Sequence, residues 1–93
     1  MKEDAVDVAV EIYTVRYCPY CRAAKELLAR KGIRFTEIDI AANWERRDEM
    51  IERAGGQATV PQVFIHGVHI GDGSDLARLD GDGALDALLK PAG

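Results

Sequence analysis

Short alternating or β-branched apolar stretches, separated by segments with helical apolar spacing, lay out most of the architecture before any chemistry is considered. Val8-Ala9-Val10-Glu11-Ile12-Tyr13 is brief, β-branched and aromatic, which predicts a mostly buried first strand. Cys18 to Lys31 reads as a helix: Pro19 sits where a first helical residue tolerates a missing N–H, and Ala24, Leu27 and Leu28 give one apolar face. Arg30 and Lys31 fall in its last turn, and Gly32 supplies a left-handed cap. Ile33, Phe35, Ile38 and Ile40 mark a second strand over Ile33 to Ile40. Asn43 is the expected cap of a second helix running to Ala54, with Trp44, Met50 and Ile51 inward and Gly55-Gly56 as its stop.

Val60 to Ile65 and Val68 to Ile70 predict two further strands joined at His66-Gly67, a two-residue hairpin loop. Ser74 is then expected to cap a helix through Ala77 and Leu79. Gly81-Asp82-Gly83 breaks it, and Leu85, Leu88 and Leu89 form a last helical turn or two. The order β-α-β-α-β-β-α implies a parallel pair with a right-handed crossover, followed by an antiparallel hairpin. An α/β fold follows, with a small mixed sheet of four strands and helices on both faces, the thioredoxin-like architecture. Residues 1–7 read as a loose tail and 8–93 as one domain, since no repeat, low-complexity tract or linker interrupts the chain.

Composition narrows the function. At 93 residues, 47% hydrophobic and 30% charged, the chain is ordinary globular material with one modest core. Twelve basic against sixteen acidic residues give −4, with no basic block, so nucleic acid is not an expected partner. The start, Met1-Lys2-Glu3-Asp4, lacks the basic opening of a secretory signal, and Val8 to Val15 is too short and too charged to cross a membrane. The expected location is the cytoplasm.

The two cysteines, Cys18 and Cys21, are too close to staple distant segments. Their position is the informative part. Cys18-Pro19-Tyr20-Cys21 stands where a strand ends and a helix begins, so both sulfurs share a helical face and can reach disulfide distance. Unpaired N–H groups at the helix mouth favour an anion, and the thiolate is the reactive form of cysteine. Arg16, with Arg22 and Lys25, can add positive charge toward activating Cys18. Cys21, one turn in, is the expected resolving thiol, and the chemistry is thiol–disulfide exchange. Two plainer readings compete: a structural short-loop disulfide, and half of a zinc site completed by His66 and His69. The second needs the 44 residues between Cys21 and His66 (positions 22 to 65) to be bridged, against about 12–15 in a finger.

Thr59-Val60-Pro61 is the second constellation. A proline opening a strand removes a ladder donor and belongs at a strand start or edge. It is either a bare turn or a cis-proline that leaves the Val60 backbone free to pair with an extended thiol substrate beside Cys18.

Together these motifs resemble the glutaredoxin family, in its small dithiol bacterial type. The resemblance runs from Val10 to Leu89 and is carried by Glu11-Ile12-Tyr13-Thr14, Cys18-Pro19-Tyr20-Cys21, Gln57-Ala58-Thr59-Val60-Pro61-Gln62 and Gly71 through Leu76. It implies glutathione-dependent reduction of protein disulfides and of protein–glutathione mixed disulfides, in the service of cell redox homeostasis. Cys18 is then the nucleophile and Cys21 the resolving cysteine. Tyr20 flanks bound glutathione, and Thr59 and Val60, before a cis Pro61, clamp its cysteine portion. Gln57 meets the glycine carboxylate, while Ser74 and Asp75 receive the γ-glutamyl end. Glutathione is a co-substrate, no metal or bound cofactor is implied, and a monomer acting on oxidised or glutathionylated proteins is expected.

The chain also departs from the family pattern. Val15 stands where the family often has Lys, with Arg16 after it. Gly71-Asp72 replaces a common Gly-Gly, and Gly73 follows where Cys or Ser is frequent. Asp72 brings a negative charge to a place meant for an anionic ligand. Trp44 reads as core edge, Arg46-Arg47 as a solvated helix face, and His66 and His69 as turn and surface residues without a role. Two rival functions share the fold: a redoxin fed by a flavoprotein reductase, and a non-enzymatic iron–sulfur cluster carrier.

Overall fold

The computed structural model describes residues 9–89, so the expected N-terminal tail and the start of the first strand at Val8 lie outside it. Its elements are β1 (Val10–Thr14), α1 (Pro19–Arg30), β2 (Thr36–Asp39), α2 (Arg46–Arg53), β3 (Gln62–Ile65), β4 (Val68–Gly71), α3 (Gly73–Gly81) and α4 (Ala84–Leu88). The four strands form one sheet in the order β2-β1-β3-β4. β1 and β2 run parallel, while β1–β3 and β3–β4 are antiparallel. The closing leucines form a separate helix rather than the tail of α3, because Gly83 takes φ 78° and turns the chain between them.

Strand alternation divides the core between two faces. Val10 and Ile12 of β1 and Val63 and Ile65 of β3 pack with Ala24, Leu27 and Leu28 of α1, Leu76 of α3, Leu85 of α4 and Leu89 beyond it. Tyr13, Ile38, Ile40 and Phe64 point the other way, onto Met50 and Ala54 from the α2 side. Helices therefore cover both faces. On the α2 side, Arg53 lies over the two inner strands: its guanidinium donates to the Tyr13 hydroxyl and to Glu11, each at 2.8 Å, and stacks 4.1 Å above Phe64. The Tyr13 hydroxyl in turn donates to Glu49.

The His66-Gly67 loop is as expected, both residues at positive φ (53° and 80°), which suits a two-residue hairpin. Four local expectations change. β2 begins at Thr36, with Ile33 and Phe35 packing against the core from the approach to the strand. α2 begins at Arg46 without a side-chain cap, because Asp39 organises the preceding turn: its carboxylate accepts from the Ala41 N–H at 2.8 Å, and its carbonyl accepts from the Asn43 amide at 3.2 Å. Trp44 sits in that turn 64% exposed, with Arg47 stacked 5.1 Å from its ring, so it belongs to the surface. The N-cap of α3 is Asp72, not Ser74.

Candidate functional site

Cys18 is the N-cap of α1, in extended conformation at φ −101°, and its sulfur accepts the Cys21 N–H at 3.3 Å. The sequence dictates this arrangement. Helix geometry points the free N–H groups of the first turn at the cap residue, and Pro19, with no N–H to leave unpaired, suits the first position. A sulfur so placed faces the positive end of the helix, which suits the thiolate needed for exchange. Both cysteines are free thiols, Cys18 partly exposed and Cys21 buried. Burial and the neighbouring Cys18 push the Cys21 thiol up to about 12, with the Val15 backbone and Lys25 acting in the opposite direction. An accessible sulfur at the helix mouth beside a buried, protonated one has the asymmetry of an attacking and a resolving pair.

The cysteines share a cavity of about 440 Å³ with Val15, Arg16, Arg22, Lys25, Glu37 and Asp39. Arg16 lines it too, but its guanidinium leans toward Asp39, 3.9 Å away, and is mostly exposed. That ion pair diverts part of the charge expected to act on Cys18. Lys25 donates to Glu37 at 2.9 Å, and Thr14 donates to the same carboxylate oxygen at 2.7 Å. These two hydrogen bonds hold the Glu37 carboxyl below its usual range.

A second cleft, of about 310 Å³, is lined by Tyr20, Thr59, Val60, Asp72, Gly73 and Ser74. It joins three chain segments that are distant in sequence. Tyr20 stands 74% exposed as one wall. The Val60–Pro61 peptide bond is cis; β3 starts at Gln62, after the proline that has no N–H to give the ladder, and Pro61 is buried. A side chain at position 73 would come within 3.4 Å of the Pro61 ring and 3.6 Å of the Tyr20 carbonyl, so Gly73 keeps that floor open.

Asp72 closes one end. Its Oδ1 accepts the N–H groups of Ser74 and Asp75, each at 3.0 Å, and the Ser74 hydroxyl at 2.8 Å. The Asp75 carboxylate reciprocates on the Asp72 N–H at 3.0 Å and takes Arg78 on its other oxygen at 2.9 Å. This is a capping box, and its backbone and hydroxyl donors hold the Asp72 carboxyl below the ordinary aspartate range. The structure thus brings Tyr20, Thr59, Val60 and Ser74 to one cleft and Arg16, Cys18 and Cys21 to the neighbouring cavity. Asp75 is spent on the cap, outside the cleft lining.

Gln57 is exposed and accepts from Gln62 at 3.3 Å. Gln62 is the residue that sequence reasoning missed. Fully buried, its amide donates also to the Thr59 carbonyl at 3.0 Å and the Thr59 hydroxyl at 3.2 Å, while its carbonyl oxygen meets His69 Nε2 at 2.7 Å. His69 is half-buried and packs its ring 5.1 Å from Phe64, which corrects its assignment as a surface residue. A polar side chain at a strand position surrounded by apolar ones was the available signal for Gln62. Among the described residues, His66 and His69 form no metal-binding group with other ligands, and no helix is long and apolar enough to cross a membrane.

Comparison with known proteins agrees with this geometry. The glutaredoxin family profile matches residues 10–70. Glutaredoxin 3 of Escherichia coli K12 is 54% identical over 81 residues, covering 87% of this chain and 96% of that protein. The solution structure of glutaredoxin from Brucella melitensis superposes with a TM-score of 0.78 at 52% identity, over 92% of this chain and 91% of that one. A buckwheat glutaredoxin–glutathione complex matches with a TM-score of 0.80 at 29% identity, over 88% of this chain and 76% of that one. With a Cys-Pro-Tyr-Cys pair at a helix mouth, a thioredoxin-like sheet behind it and relatives of this kind, the chain belongs to the glutaredoxin family of thiol–disulfide oxidoreductases.

Proposed function

We propose that the protein is a glutathione-dependent oxidoreductase that reduces protein–glutathione mixed disulfides and protein disulfides. The observation that carries this is the cleft of Tyr20, Thr59, Val60 and Ser74, which borders the first turn of the helix that Cys18 caps. Such a cleft suits an extended, charged-ended peptide thiol: an aromatic wall, a backbone edge before Pro61 and a polar end at α3. The buckwheat relative solved with glutathione supports that ligand.

In the first stage the Cys18 thiolate attacks the glutathione sulfur of a mixed disulfide, and the client leaves as its thiol. Cys18 is left joined to glutathione. A second glutathione thiolate attacks that glutathione sulfur, forms glutathione disulfide and frees Cys18. With a protein disulfide, Cys21 attacks the Cys18 sulfur and releases the client, and two glutathiones reduce the resulting bridge. Thr59 and Val60 present backbone to the ligand, Tyr20 flanks it, Gln57 and Ser74 meet its two ends, and Asp75 holds the α3 start through the cap. Glutathione is a co-substrate, no bound cofactor takes part, and the protein acts as a cytoplasmic monomer.

The test is glutathione-coupled reduction of a glutathionylated protein by wild type, Cys18→Ser and Cys21→Ser. Loss of turnover in the first variant and retention of much of it in the second supports the scheme. No turnover of wild type with glutathione, but turnover with a flavoprotein reductase, overturns it.

A further inference from the structure

The resolving cysteine has a chemical difficulty. To attack the Cys18 sulfur it must be a thiolate, yet Cys21 is 2% exposed and buried against the core. The cavity that the pair lines also holds the charged and titratable groups that can act on Cys21: Arg16, the exposed Tyr17, Cys18, Arg22 and Lys25 around α1, with Glu37 and Asp39 from β2. Arg16 and Arg22 are both exposed to water, so solvent screens their charge. Lys25 differs from both. It stands one turn beyond Cys21 on the same face of α1, is half-buried, and is fixed by its 2.9 Å bond to Glu37, itself anchored by Thr14 at 2.7 Å.

We infer that Lys25, held in place by Glu37, is the positioning residue that stabilises the Cys21 thiolate when it resolves a protein mixed disulfide. The inference rests on the dithiol branch of the function proposed above. In that step the Cys21 thiol gives its proton to solvent, and the thiolate attacks Cys18. The Cys18–Cys21 bond forms as the Cys18–client bond breaks, and the client thiolate departs and takes up a proton, so charge and electrons balance. The anion exists only in this step, and because Cys21 is buried, water screens a fixed cation in the same cavity less than it would at the surface. Lys25 already opposes the upward push that burial exerts on the Cys21 thiol. Glu37 limits the effect while securing the geometry, since an unanchored lysine would spend its time in water.

The test has two parts. In a Cys18→Ala background, the ultraviolet thiolate absorbance of Cys21 is titrated in variants carrying Lys25, Lys25→Gln or Lys25→Arg. Lys25→Gln is expected to lower the thiolate fraction at fixed alkaline pH by about three-fold or more, and Lys25→Arg to restore most of it. With Cys18 present, Lys25→Gln slows single-turnover release of a protein client from its Cys18 mixed disulfide by a similar factor and moves that step's pH profile upward. An unmoved titration overturns the role of Lys25, as does equal loss in Gln and Arg variants. If instead Cys21→Ser releases clients as fast as wild type, the dithiol branch fails, and the titration still reads Lys25 separately.

Discussion

The buried Gln62 amide lies 3.0 Å from the carbonyl oxygen of Thr59, so a side chain in the first position of β3 fixes the backbone that forms one edge of the cleft. The same amide also reaches the Thr59 hydroxyl, and its oxygen is held by His69 from the neighbouring strand. Gln62→Leu keeps the volume but leaves the Thr59 carbonyl and the His69 ring without their buried partner. The expected loss is about 1–3 kcal/mol in urea unfolding, with a raised KM for the peptide thiol and a smaller change in kcat. An unchanged KM would show that Thr59 holds its place without Gln62.

Asp72 gives a prediction with a pH sign. Its carboxyl titrates below the ordinary range because backbone and hydroxyl donors favour the anion. The stability it adds is therefore complete above the unfolded value of about 3.9 and is lost as pH falls through the lower folded value. Asp72→Ala should cost about 1 kcal/mol at neutral pH, the ordinary value of an N-cap. Asp72→Asn should retain most of that stability and flatten the acid limb of the unfolding curve, as read by circular dichroism between neutral pH and the acid transition.

Cys21 acts on the opposite limb. Its thiol is pushed up to about 12 in the folded protein, against about 8.5 for a free cysteine. A raised value means that this contribution to stability is fully present below the unfolded value and is lost as pH rises through the folded one. Reduced wild type should therefore lose stability across the alkaline range, and Cys21→Ala should lose less of its own over the same range. Denaturant midpoints at a series of alkaline pH values, under reductant, check this.

Gly71 joins β4 to the cap. A Cβ there would stand 2.2 Å from the Asp75 carboxylate oxygen, on a backbone at φ 130° that other residues rarely adopt. Gly71→Ala is expected to destabilise by about 2 kcal/mol or more, since the clash and the backbone penalty add. A midpoint within a few tenths of wild type would mean that the cap can move aside.

Most of the fold was legible because each element carried its own local signal. Leu27 and Leu28 set the face of α1, Pro19 and Gly32 its ends, and His66-Gly67 the hairpin. The cysteines and the Thr59-Val60-Pro61 segment were legible for the same reason, since chemistry and backbone geometry were written in adjacent residues. What escaped depended on competition between neighbours. Asn43 and Ser74 are both good caps by type, but Asp39 and Asp72 stand nearby with carboxylates that take the local donors first. Trp44 reads as core edge at a helix start, but it lies in the turn that Asp39 organises, with Arg47 rather than the core against its ring. Gln62 and His69 lie seven positions apart, and only the hairpin register brings them together.

The self-made cap of α3 also bears on the thermodynamics of ligand capture. Because Asp72 already satisfies the first donors of that helix, the cleft wall is built before any ligand arrives. A peptide thiol that docks there has little ordering of the protein to compensate, so its entropic penalty falls mainly on its own rotatable bonds. A ligand carboxylate aimed at those donors finds them already taken and meets the Asp72 anion beside them, so it is repelled rather than bound there. Binding at this end should therefore favour a ligand group that is neutral or positively charged over a lone carboxylate.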